Sequence, residues 1–139
     1  MTLEEFEKLV VEEFPNAIPE KFRSKVENVA FLVEDEPSPA LRREERLGPQ
    51  MTLLGHYRGI PHTSRGDYYG VGGTLPDTIT LFRIPIEDEA SGLSARLNLA
   101  EEMAIRQVIK DTIWHEVAHH FGMDEGEVRS REWERRTKK

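Results

Sequence analysis

His115, Glu116 and His119 stand in the order H-E-x-x-H. On a helix, positions i and i+4 lie one turn apart, so both imidazoles leave the same face and can occupy two corners of a zinc tetrahedron. Glu116 sits beside the first of them and can reach a water held by the metal. Zinc lowers the pKa of such a water towards ~7, and a neighbouring carboxylate can then take its proton. The spacing therefore predicts metal-assisted hydrolysis, with His115 and His119 as ligands and Glu116 as general base. Taken alone the five-residue motif is moderately specific. Gly122, three residues after His119, and an acidic residue at 125 make it much more so.

Gly122 also has a mechanical part to play. A glycine just past a helix adopts the left-handed conformation cheaply and lets the chain turn back. The returning chain can deliver a third ligand, for which Glu125 is the first candidate and Asp124 the alternative. Asp124-x-x-Glu127 also reads as a capping box for a last helix. Among the other polar residues, His120 points about 100° away from His119 around a helix and reads as a hydrogen-bonded structural histidine. Asp111, one turn before His115, can orient that ring as an acceptor, but a solvated surface charge is the simpler reading. His56, His62, Tyr57, Tyr68 and Tyr69 can each complete a site or stabilise an oxyanion; ordinary loop positions are again the simpler reading.

These residues need elements to hold them. An uninterrupted helix is expected from about Leu97 to Phe121, with apolar residues on more than one side, as in a helix buried through much of its length. Its two apolar rows are Ala100, Ala104, Val108, Thr112 and Ile105, Ile109, Ile113, Val117, Phe121. Upstream, Thr2 and Glu5 form a capping box for an N-terminal helix whose face is Leu3, Phe6, Leu9, Val10 and Phe14, ended by Pro15. A second helix is expected from Pro19. Val29–Val33 reads as a buried strand, Glu34–Gln50 as a loop with a helical turn near Leu41–Leu47, and Thr52–Arg58 as a second strand. Gly55–Gly73, with six of the ten glycines, reads as a long functional loop. Thr78–Ile84 alternates apolar and polar residues before Pro85, which suits an edge strand. A short helix from about Glu125 leads into a basic tail over residues 129–139, with Trp133 packing it onto the body. The fold class expected is α+β: helices on a small mixed or antiparallel sheet.

Composition narrows the field further. A chain of 139 residues is sized for one domain, here taken as 1–139. The net charge of −7 disfavours nucleic acid and anionic membranes as general partners. There is no cysteine, so thiolate nucleophiles, disulfides and Cys-type metal sites are excluded, and a metal must be held by His, Asp or Glu. No apolar run spans a bilayer and no secretory pattern opens the chain, so a cytoplasmic protein is expected.

The run Thr112-Ile113-Trp114-His115-Glu116-Val117-Ala118-His119-His120-Phe121-Gly122-Met123-Asp124-Glu125 resembles the signature of a small bacterial family of zincin-like metallopeptidases. Leu75–Glu87 and, more weakly, Leu53–Pro61 resemble it too. The resemblance implies a minimal zincin fold, with a three- to four-stranded mixed sheet packed against a long active-site helix and N-terminal helices. It implies Zn2+ at His115 and His119, Glu116 as general base, and the third ligand on the acidic position after the glycine, Glu125 here. The metzincins share much of this motif but end it in His or Asp and have a separate Met-turn, for which Met123 stands too close. The expected function is zinc-dependent hydrolysis of peptides, with a substrate strand pairing along the sheet edge near Thr78–Arg83. The alternative is a zinc-binding zincin-like domain with little or no protease activity, acting as an interaction or regulated module.

Overall fold

A computed structural model describes residues 1–26, 28–59 and 75–121 of the chain. The elements run α1 (Leu3–Ala17), a 3-10 helix (Glu20–Val26), β1 (Val29–Glu34), α2 (Pro39–Glu44), β2 (Gly55–Arg58), β3 (Asp77–Phe82), α3 (Arg83–Leu97) and α4 (Glu101–His120). This is a small α+β fold. Among the described residues, no helix is long and apolar enough to cross a membrane. Gly122, Met123, Asp124, Glu125, Trp133, His62, Tyr68, Tyr69 and the basic tail lie outside the described residues.

The N-terminal helix forms as its sequence dictates. Thr2 caps it, its side chain accepting from the Glu5 N–H at 3.1 Å. Phe6, Leu9 and Val10 are buried, and Leu3 and Phe14 pack against them. Pro15 does not end the helix, which runs on to Ala17. The proline sits in the last turn, and its carbonyl is taken by Arg23 Nη2 at 2.7 Å instead. The helix expected from Pro19 is a short 3-10 segment that carries Phe22 onto Trp114, ring centroids 5.4 Å apart.

The sheet has three strands in the order β1-β3-β2, with β1 parallel and β2 antiparallel to β3. The central position of β3 corrects the edge-strand expectation. Its alternation does not mark an edge: Ile79 and Leu81 face the core with no exposure, while Thr78 and Thr80 pair to both sides. Pro85 does not interfere, because it lies beyond the ladder in the first turn of α3, where a helix has no use for its N–H. Among the described residues, β2 pairs only with β3.

Two further corrections concern the helices. The sequence hides α3, which holds Pro85 and Gly92 and buries only Pro85, Ile86, Ala90 and Leu93. It ends at Asn98, whose φ of 52° is left-handed. The turn at Asn98 separates α3 from α4, so the helix that carries the H-E-x-x-H residues starts at Glu101 and Leu97 belongs to its predecessor.

Helix α4 has 20 residues and is the axle of the molecule. Ile105, Val108, Ile109, Ile113 and Val117 are buried against the sheet and the flanking helices, each contributing about 1.5–3 kcal/mol of burial. Arg106 Nη1 reaches Glu13 Oε2 on α1 at 2.7 Å, with Lys110 Nζ at 3.8 Å from the other oxygen. On the far side, β2 lies directly on α4. A Cβ on Gly55 would stand 2.8 Å from Thr112 Cγ2 and 3.3 Å from the Thr80 carbonyl oxygen, so only glycine permits this approach.

Candidate metal centre

The last two turns of α4 carry the H-E-x-x-H residues. The helical spacing brings the His115 and His119 rings to 4.2 Å between centroids, tilted by 33°. His115 is half-buried and His119 exposed, so the pair opens towards solvent rather than into the core. Helix α4 closes after them with the Phe121 N–H donating to the Val117 carbonyl at 3.0 Å.

Glu116 is held from the neighbouring strand. The backbone N–H of Tyr57 on β2 donates to Glu116 Oε1 at 3.2 Å. Burial pushes the Glu116 carboxyl above the usual range; His115, the Tyr57 N–H, His56 and His119 pull it partly back. A carboxylate tuned upward in this way is a better proton acceptor than one free in water.

Tyr57 is itself locked in place. Its ring stacks on His120 at 3.8 Å and 14°, and its hydroxyl donates to Asp77 Oδ2 at 2.8 Å. His120 Nε2 lies 3.7 Å from the same Asp77 oxygen. Gly59 leaves room for this bracket, since a Cβ there would be 3.2 Å from His120 Cε1. His120 thus has the structural role the sequence suggested. His56 is occupied with Glu45, 3.1 Å from its Nε2. Asp111, in contrast, is not a solvated surface charge: it is 5% exposed, with Gln107 Nε2 donating to Oδ1 at 3.1 Å. A cleft of about 290 Å³ beside the motif is lined by His115, Glu116, Asp111, Thr112 and Val108 of α4 together with Leu54, Gly55 and Glu89.

A family model described as zincin-like metallopeptidase matches residues 26–134. The chain belongs to the zincin-like metallopeptidases. No curated protein matches it significantly.

Zincin-like metallopeptidases are zinc-dependent in general, and the donors here suit that metal: two imidazoles one helical turn apart, with a carboxylate between them in sequence. Among the described residues, no group of three His, Asp or Glu side chains is placed to hold a metal ion. Glu125 and Asp124, the sequence candidates for the third donor, lie outside them. Sequence reasoning missed the Tyr57 N–H as the partner of Glu116. A backbone donor has no residue-type signature, and the two residues are 59 positions apart.

Proposed function

We propose that this zincin-like metallopeptidase hydrolyses peptide bonds with zinc held by His115, His119 and Glu125, Asp124 being the alternative third donor. The observation that carries the reading is Glu116, beside the two imidazoles and oriented by the Tyr57 N–H at 3.2 Å. Zinc, when bound there, supplies Lewis acidity towards a carbonyl oxygen and lowers the pKa of water.

The chain's own residues do the rest. Glu116 accepts the proton of the attacking water and later hands it to the leaving amine. The Tyr57 N–H fixes one carboxylate oxygen, leaving the other to face the reacting atoms. The stack on His120 and the bond to Asp77 keep β2, and hence that N–H, from drifting. The substrate lies extended beside β2, the strand that passes Glu116, rather than beside β3, whose two edges are already paired.

The test is cleavage of a mixed peptide library by the zinc-loaded protein, by its chelator-treated form and by that form reloaded with zinc. Cleavage that is lost on chelation and returns on reloading supports the reading. Undiminished cleavage in chelator contradicts it. Zinc binding with no cleavage of any peptide favours the non-hydrolytic module.

A further inference from the structure

The sheet has two edges. β2, whose Tyr57 N–H holds Glu116, forms one of them, and β1 forms the other. The six residues of β1, Val29–Glu34, pair residue for residue with Asp77–Phe82 of β3. Among the described residues, no strand pairs with the outer side of β1. A strand paired on one side only presents a row of unused N–H and C=O groups, and such edges are commonly guarded by lysine, proline, a bulge or brevity. In β1 these guards are missing: Val-Ala-Phe-Leu-Val-Glu holds no lysine and no proline, and its register runs unbroken.

Val29, Phe31 and Val33 pack against the core, so by alternation Ala30 and Leu32 lie on the other face, where Leu32 is 48% exposed. The two ends of the strand differ in charge. Lys21 and Arg23 stand exposed on the 3-10 helix that precedes it, and Glu34 and Glu36 stand exposed at its far end. Among the described residues, none of these four forms an ion pair. Arg23 lines a groove with Phe14 and Val26, and the Phe14 ring meets Phe31 of β1 at 4.4 Å, so this cation lies beside the strand.

The complement of such an edge is a strand with the same apolar run and the reverse order of charge. A second copy of β1, running antiparallel, meets both conditions. It brings its Glu34 and Glu36 to the end that carries Lys21 and Arg23, and a two-fold axis repeats the match at the other end. A parallel copy would set like charges together. We propose that β1 pairs antiparallel with β1 of a second copy, joining the two three-stranded sheets into one. An interface built on one strand from each side falls below about 1,200 Å², so the dimer is weak and reversible. Both β2 strands stay at the outer edges of the joined sheet, which leaves each candidate metal centre open.

Sedimentation equilibrium of the full chain over rising concentration tests this, with hydrogen exchange read on the same samples. The mass should climb from 16.0 kDa towards twice that value, and the amides of Val29–Glu34 should exchange more slowly as it does. Leu32→Lys puts a guarding charge on the edge strand of both copies and should weaken the dimer at least about tenfold. Glu34→Lys combined with Glu36→Lys sets like charges together at both ends and should weaken it by about tenfold as well. All three positions are exposed, and unchanged melting of the dilute variants checks that they fold. A mass of 16.0 kDa at every concentration overturns the proposal. A dimer that neither variant weakens forms through another surface and overturns it too. Weakening by Leu32→Lys without weakening by the charge reversal overturns the antiparallel orientation. Protection of Val29–Glu34 that is equal at all concentrations means that another segment of the same chain covers the edge, and a second copy is then ruled out.

Discussion

At the residue scale, Glu116 is held by a backbone donor and flanked by two imidazoles. Burial raises its carboxyl, so the folded state holds that proton more tightly than the unfolded chain does. The stabilisation is complete at low pH and fades as pH rises through the folded value. Glu116→Gln removes this dependence. In chelator, the melting temperature of the variant relative to wild type should therefore rise with pH across the carboxylate range; a difference that does not change with pH would contradict the desolvation. Glu116, His115 and His119 were readable from sequence because their chemistry is in their side chains and their spacing is local. The Tyr57 N–H was not, because it arrives through a strand pairing 59 residues away. Asp111 was misread for a related reason: its burial comes from tertiary packing around α4, which local spacing does not report.

At the element scale, the site depends on how closely β2 approaches α4. Gly55→Ala places a methyl within 2.8 Å of Thr112 Cγ2, with the Thr80 carbonyl behind it. This overpacking should cost about 1–3 kcal/mol, read from the denaturant midpoint. It should also move Tyr57 away from Glu116, seen as a shift of the Tyr57 amide resonance. Elsewhere on α4, Ile113→Ala removes a fully buried side chain and should cost about 2–5 kcal/mol. An unchanged midpoint in either variant would show that the packing described for α4 is wrong. Helices α1 and α4 were legible because their apolar residues recur at helical spacing. Helix α3 was not: Pro85 and Gly92 interrupt its pattern, and its burial comes from only one narrow stripe. The central place of β3 was missed because alternation reports which face of a strand is buried, and says nothing of how many neighbours pair with it.

At the scale of the whole molecule, one helix links the core to the chemistry. Helix α4 packs on α1, α3 and β2 and carries the two histidines on its last turns. A ligand that binds the folded chain alone stabilises it by mass action, about 2.7 kcal/mol at one hundred times Kd. Zinc should therefore raise the melting temperature of the wild-type protein, and His119→Ala should abolish that rise. An equal rise in the variant would remove His119 from the ligand set. The same titration on Glu125→Ala and Asp124→Ala assigns the third donor: the greater loss of zinc affinity is expected in Glu125→Ala.

In the proposed hydrolysis Glu116 moves the proton while the histidines hold the metal. Glu116→Gln keeps the size and the Tyr57 hydrogen bond but cannot accept that proton. Zinc content and peptide-library cleavage, measured on the same preparations of wild type and Glu116→Gln, test it most directly. Equal zinc is expected in both proteins, with cleavage by wild type and at least a hundredfold less by the variant, within the range of about 10²–10⁴ expected for loss of a general base. Cleavage by Glu116→Gln at the wild-type rate, with zinc bound, would contradict it.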